Sequence, residues 1–295
     1  MRVRRALGGN SQVSEAQVEA DQLVRSLIRG LGSTVVALSG GVDSSLVTAL
    51  AVQELGPERV LAVTATSETY LEEELEYART FAESLGVRHQ VIETSELELE
   101  EFAENPPDRC YHCKKELFGQ LWTLAREDGF AAVIDGANRD DSRDFRPGLR
   151  ASDALGVRHP LMEAGLGKEA VRSLALRLGL NSWSKPAMAC LSSRFPYGER
   201  ITREKLDMVR EAERYLAGHR FSPLRVRHHG KTARIEIDQA DFSRLLEPEL
   251  RQRVLGHLEQ LGYTYVTLDL AGFRSGSMNE VLSAEERGNS GSNVG

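Results

Sequence analysis

The chain has 295 residues, enough for two domains and a substantial core. At 41% hydrophobic and 27% charged it carries no apolar run near the roughly 20 residues that span a membrane; its basic start lacks the apolar stretch of a signal peptide, so a cytoplasmic location is expected. A net charge of −7 argues against a globally basic nucleic-acid binder, and three cysteines are too few for a disulfide scaffold.

Residues 1–14 are expected to be disordered. A helix is predicted over 15–31 through Val18, Leu23, Leu27 and Ile28, then a strand at Thr34–Leu38 that runs into Ser39-Gly40-Gly41-Val42-Asp43-Ser44-Ser45 and a second helix. After the break at Gly56-Pro57 come a strand at Val60–Ala65, a helix over 71–85 with Leu71, Leu75, Ala78 and Leu85 on its apolar face, and a strand at His89–Glu93. The acidic stretch Glu96–Glu104 reads as loop and helix with a solvated charged face. A helix over 114–128, a strand at Ala131–Ile134, the segment Asp135–Asp141 and a helix over Lys168–Leu178 follow.

Strands alternating with helices predict a doubly wound, mostly parallel α/β sheet over 15–200. Ligands of such sheets bind beyond the carboxyl ends of the strands, so Ser39–Ser45, Thr64–Thr69 and Asp135–Asp141 should converge on one crevice. The order changes after residue 200. A helix at Arg203–Leu216, strands at Leu224–His228 and Ala233–Ile237, a helix at Pro248–Leu261 and a strand at Tyr263–Leu268 predict a smaller α+β domain over 201–283, for substrate binding or oligomerisation. The polar tail 284–295 is expected to be disordered.

The Ser39–Ser45 string is the most specific chemical signal. Gly40 and Gly41 let the backbone turn sharply, and the first amides of the following helix have no intrahelical partner, which makes a phosphate cradle. Asp43 would repel polyphosphate unless a divalent cation lay between them, so it is a candidate Mg²⁺ contact. A serine-capped strand–helix connection is the plain alternative. No lysine closes the glycine run, which excludes a Walker A loop; His229-Gly230-Lys231-Thr232 imitates one only superficially, since Arg225 stands where its first glycine belongs.

The cysteines fall in two segments, Cys110-Tyr111-His112-Cys113 and Cys190 with its neighbours. A Cys-x-x-Cys pair can aim two thiolates at one centre, and Arg109, Lys114 and Lys115 favour thiolate. Four readings stay open on spacing alone: a zinc site that includes His112, a thiol relay, an iron–sulfur cluster on three thiolates, or inert buried cysteines.

Ser39–Ser45 resembles the PP-loop of the ATP pyrophosphatase superfamily (adenine nucleotide alpha hydrolase-like), whose members split ATP between the α- and β-phosphates and adenylate an oxygen. That resemblance puts Ser39, Gly40, Gly41, Asp43, Ser44 and Ser45 on the phosphates, Thr64 and Ser67 near adenosine, and Gly136 and Asn138 near nucleotide or substrate.

A more specific resemblance covers nearly the whole chain. Arg109–Lys114, Asp135-Gly136-Ala137-Asn138 with Asp140 and Asp141, Asp144–Gly148, His159-Pro160-Leu161, Lys185-Pro186-Ala187 to Cys190-Leu191, Ser193–Gly198 and Gly272–Ser277 are together similar to the LarE family of ATP-dependent sulfur transferases, which make the organic part of the nickel-pincer cofactor of lactate racemase. The resemblance implies pyridinium-3,5-biscarboxylic acid mononucleotide as substrate, adenylation of its carboxylates, and replacement of oxygen by sulfur. Some members sacrifice the cysteine matching Cys190; others hold a 4Fe-4S cluster on three cysteines, and Cys110, Cys113 and Cys190 place this chain with those. Ser193, Arg194, Arg225 and Arg227 are candidates for the substrate phosphate, with surface arginines as the plain alternative. Implied partners are the small mononucleotide and a sulfur donor that the sequence does not identify. A homo-oligomer is expected, and neither nucleic acid nor membrane. The competing functions are a PP-loop tRNA thiolase, an ammonia-using ligase, and a non-catalytic nucleotide or iron–sulfur module.

Overall fold

The computed structural model describes residues 15–70, 72–143, 146–185, 190–274 and 276–283. The expectations for 1–14, Leu71, Asp144-Phe145, Pro186-Ala187, Ser275 and 284–295 lie outside these residues.

Helix α1 (Glu15–Arg29) precedes β1 (Thr34–Ala37), α2 (Val42–Leu55), β2 (Val60–Thr66), α3 (Glu72–Ser84) and β3 (Arg88–Glu93). A short α4 (Glu100–Ala103) leads to α5 (Arg109–Glu127), β4 (Ala132–Ile134), α6 (Pro147–Ala154), α7 (Pro160–Glu163) and α8 (Lys168–Arg177). The four strands form one parallel sheet in the order β3-β2-β1-β4, with Val35 opposite Leu61 on one side and Val133 on the other. Successive strand residues point to opposite faces. Val36 and Ala62 therefore pack with α1, α2 and α8, whereas Val35, Leu61 and Val133 pack with Phe118, Leu121 and Ala125 of α5. Removing Phe118 or Leu121 from water contributes about 1.5–3 kcal/mol each. The order of strands reverses at β1, so the crevice between the ends of β1 and β4 is where a doubly wound sheet takes its ligand.

Three local expectations need correction. α5 begins at Arg109, not 114, so Cys110 and Cys113 ride its first turns. Its start is fixed by Arg109, which is buried and donates to Asn105 Oδ1 at 2.8 Å. The buried face of α3 includes the expected Ala78, with Leu85 packed partly on the core and Leu75 half-buried, but its other buried members are Glu74, Phe81 and Ala82, which were not expected. Glu74 turns inward because Lys185 Nζ meets it at 3.0 Å. Helices α6 and α7 were not predicted; each starts with proline in its first turn, where the missing amide costs nothing.

Beyond residue 200, α9 (Arg203–Gly218), β5 (Leu224–His229), β6 (Thr232–Ile237), α10 (Phe242–Leu245), α11 (Pro248–Gln260) and β7 (Tyr265–Leu268) form a second unit of structure. β5 and β6 are antiparallel, β7 runs parallel to β6, and Leu216, Val226, Ile235 and Leu258 lie in its own core. Phe102, Leu191 and Phe195 pack against Leu206 and Val209 of α9, which ties this part to the loop that follows Cys190.

Candidate functional site

The turn between β1 and α2 is held by its own serines. Ser44 Oγ accepts from the Ser39 amide at 3.1 Å, lies 3.0 Å from Ser39 Oγ and donates to the Gly41 carbonyl at 3.2 Å. Gly40 has φ +79°, where any side chain is strained, and a Cβ there would also stand 3.0 Å from the Glu74 carbonyl oxygen. Lys185 Nζ donates to the Gly40 carbonyl at 3.1 Å, and Tyr70 donates its hydroxyl to the Ser39 carbonyl at 2.8 Å. Burial, and then the charge of Glu74, push that phenol well above its ordinary pKa, so it stays a donor. Ser45 Oγ is buried with no partner among the described residues.

The loop after β4 closes on this turn. A Cβ at Gly136 would stand 2.6 Å from the Ser44 amide nitrogen, so only glycine permits the approach. Asn138 Nδ2 donates to Asp43 Oδ1 at 3.2 Å. Lys168, the first residue of α8, forms an ion pair with the other Asp43 oxygen. The expected juxtaposition of Asp43, Gly136 and Asn138 is therefore present, and Lys168 joins it. The sequence reading placed Lys168 on a helix without a role; its pairing spans 125 residues and left no local signal. Thr64 is 1% exposed, and its hydroxyl donates to the Leu38 carbonyl at 2.7 Å, so it ties β2 to β1. Ser67 Oγ accepts from the Thr69 amide at 3.2 Å in the bend that follows β2.

The three cysteines lie at the same carboxyl edge of the sheet. Cys113 Sγ faces Glu96 Oε1, just past β3, at 3.6 Å, and the Leu191 amide, next to Cys190, donates to the Thr69 carbonyl at 3.2 Å. Cys190 Sγ is 2.9 Å from Ser192 Oγ. All three are free thiols. Desolvation pushes the thiol pKa of Cys110 up and that of Cys113 up further; Glu96 adds to the latter, and Cys190 acts on both in the same direction. Among the described residues, no three His, Cys, Asp or Glu side chains are disposed to hold a single metal ion, and His112 is turned toward Asp108 at 3.8 Å. The four-ligand zinc set is thus not assembled here. A Mg²⁺ beside polyphosphate needs only one or two protein carboxylates, and here the two oxygens of Asp43 are engaged by Asn138 and Lys168.

Glu96 corrects the reading of a wholly solvated acidic stretch. It is 6% exposed and accepts from Thr94 Oγ1 at 3.1 Å as well as facing Cys113. Thr94 is only two residues away, but Cys113 comes from 17 residues further on, and no local pattern marks that contact.

The arginine candidates converge, but not as surface cations. Arg194 is 0% exposed and makes a two-pronged pair with Glu213 at 2.8 and 2.9 Å; Arg227 is buried against Glu236 at 2.8 and 3.0 Å. Arg227 also donates to the Ser193 carbonyl at 2.7 Å, and Arg194 to Ser193 Oγ at 2.9 Å. Arg225 lies over the Phe273 ring, and its pKa is pushed down to about 10 by burial and then by the charge of Arg194. Trp183 is 42% exposed and not a core residue. A groove of about 640 Å³ along α5, lined by Ile92, Leu99, His112, Glu116 and Gln120, contains neither the residues of the Ser39–Ser45 turn nor any of the three cysteines.

Residues 19–110 match the NAD synthase family. The pyridinium-3,5-bisthiocarboxylic acid mononucleotide synthase of Lactiplantibacillus plantarum is 42% identical over 255 residues, 86% of this chain and 92% of that protein. An uncharacterized protein of Synechocystis is also 42% identical, over 88% of this chain and 96% of its own length. The NH(3)-dependent NAD(+) synthetase of Chlorobaculum tepidum is 40% identical over 85 residues only, 28% of this chain and 31% of that one.

Proposed function

The chain belongs to the LarE family of ATP-dependent sulfur transferases, and from that premise we propose that it converts pyridinium-3,5-biscarboxylic acid mononucleotide into its dithio form, the precursor of a nickel-pincer cofactor. The observation that carries the proposal is that the turn after β1 and the loop of Cys190 are tied to one segment, Tyr70 donating to the Ser39 carbonyl and the Leu191 amide to the Thr69 carbonyl, with Cys110 and Cys113 also free thiols at that edge of the sheet.

A carboxylate is a poor electrophile, so the first step is activation. A substrate carboxylate oxygen attacks the α-phosphorus of ATP, a new P–O bond forms, and the bond to the β-phosphate breaks with release of pyrophosphate. The amides at the start of α2 would face the departing charge, Ser39 and Ser44 brace the turn that aims them, and Lys168 adds a cation beside Asp43. Asp43 would hold Mg²⁺, which neutralises polyphosphate charge. Gly136 and Asn138 keep Asp43 in place, and the bend at Ser67 borders the adenosine.

In the second step sulfide attacks the acyl carbon, the C–S bond forms, and AMP leaves with the bonding pair. Cys110, Cys113 and Cys190 would hold a 4Fe-4S cluster, which when bound supplies the sulfide. Of the arginine candidates Arg225 is the one for the substrate phosphate, and its depressed basicity beside Arg194 favours an anion there; Arg194 and Arg227, buried against Glu213 and Glu236, instead hold the Ser193 loop in place. A second round on the other carboxylate completes the dithio product.

The test is AMP and pyrophosphate release by protein supplied with MgATP and sulfide. Release that requires the pyridinium mononucleotide is expected. Release driven instead by tRNA or by ammonia overturns the reading in favour of a thiolase or an amide-forming ligase.

A further inference from the structure

His159 lies behind the nucleotide loop and takes part in none of the steps above. It is 3% exposed. Its Nδ1 faces Asp135 Oδ1 at 2.6 Å, and its Nε2 faces Asp153 Oδ1 at 3.1 Å and Ser152 Oγ at 3.5 Å. A neutral imidazole has one N–H and one lone pair, so it can donate to only one of two carboxylates. The ring satisfies both only as imidazolium.

The contacts run from this ring to the ATP site. Asp135 follows β4 directly, and the oxygen that faces His159 also accepts from the Ala137 amide at 2.9 Å. The next residue, Asn138, has its amide held by Asp141 at 3.0 Å and its side chain on Asp43 at 3.2 Å. The other charged groups around the ring are Glu163 of α7, which accepts from the His159 backbone amide at 2.9 Å, and Arg158, which donates to Glu163 at 2.9 Å. Burial alone would push the imidazole pKa down. The bond to Asp135 and the charges of Asp135 and Asp153 more than reverse this, and the pKa stands above its ordinary 6.5.

We propose that His159 is a positioning residue whose imidazolium clamps Asp135, keeps the loop after β4 in the shape that presents Asn138 to Asp43, and so couples MgATP affinity to its own protonation. The inference rests on the ATP-dependent reading above and adds to it a proton-linked support for the nucleotide loop.

The experiment is calorimetric titration of the full chain with MgATP from pH 6 to 9. Wild type is expected to bind about fivefold or more tightly on the acid side of the His159 transition than on the alkaline side, within the ordinary range of coupling between two sites. Asp153→Asn changes a carboxylate that is 59% exposed and leaves the ring in place, so the chain should fold. It removes one support of the imidazolium and moves the transition to lower pH. His159→Gln cannot titrate, and its profile should be flat. MgATP binding with an unchanged wild-type pH profile in Asp153→Asn overturns the clamp alone. Failure of wild type to bind MgATP at any pH overturns the ATP-dependent reading, and the clamp falls with it.

Discussion

Alanine at Gly136 should damage ATP use through a contact of a single methyl group. The added Cβ would stand 2.6 Å from the Ser44 nitrogen, 2.7 Å from the Asp43 carbonyl carbon and 2.9 Å from the Ser44 Cα. All three are backbone atoms of the first turn of α2, which is anchored in the core by Leu46, Val47 and Leu50 and cannot yield cheaply. An ordinary contact begins near 3.4 Å, so the loop after β4 must retreat by about 0.8 Å. Overpacking of this kind costs about 1–3 kcal/mol, which lowers the melting temperature by a few degrees. The catalytic loss should be larger, because the retreat carries Asn138 away from Asp43. Misplacement by about 1 Å commonly costs about 100-fold in rate. Substrate-dependent pyrophosphate release and a thermal melt, run on the same preparation, measure both effects. Wild-type kcat/KM within twofold together with an unshifted melt would refute the close approach of these two segments.

Asp43→Asn can keep the hydrogen bond to Asn138 but loses the ion pair with Lys168 and the charge that would hold Mg²⁺, so AMP formation should fall about 100-fold or more with a stability loss of about 1 kcal/mol or less; full activity would exclude Asp43 from metal binding. Glu213→Ala leaves Arg194 buried without its paired carboxylate, and urea denaturation should record a loss of about 3–5 kcal/mol. A loss below about 1 kcal/mol would mean that the Cys190 carbonyl and Ser193 suffice to hold the guanidinium. Glu163 is held below its ordinary pKa of 4.5, first by Arg158 and then by the His159 amide. Its stabilisation is therefore present above about pH 4.5 and is lost as pH falls through the lower folded value. Glu163→Gln should remove that part of the acid dependence in urea melts at pH 3 to 6, and unchanged acid sensitivity counts against the pairing.

Strands β1, β2 and β4 were legible because each is a short, buried apolar run, as in Val35-Val36 and Val60–Val63, and a parallel sheet buries both faces; β3, at the sheet edge, is half-exposed and shows only Val91-Ile92. The turn at Ser39–Ser45 was legible because its chemistry is local: the glycine that adopts positive φ and the serines that brace it lie within seven residues. Partners supplied from far along the chain were hidden. Glu96 reads as one more surface acid until Cys113, 17 residues further on, is seen against it. Lys168 resembles a helix-start lysine until α8 delivers it to Asp43. Arg194 and Arg227 share a pattern with surface arginines, and only the packing of the Ser193 loop against β5 shows them buried against Glu213 and Glu236. The early start of α5 depended likewise on Arg109 reaching Asn105 and Ser192.

The central claim is that an activated carboxylate meets sulfide delivered at the three cysteines. Protein reconstituted anaerobically with iron and sulfide, then given MgATP, sulfide and the pyridinium mononucleotide, should be analysed by mass spectrometry of both product and protein. The account predicts several thiocarboxylate groups formed per chain, loss of that turnover in Cys110→Ala and Cys113→Ala, and Cys190 unchanged in mass. Product that stops at one sulfur per chain, with Cys190 converted to dehydroalanine, would contradict it.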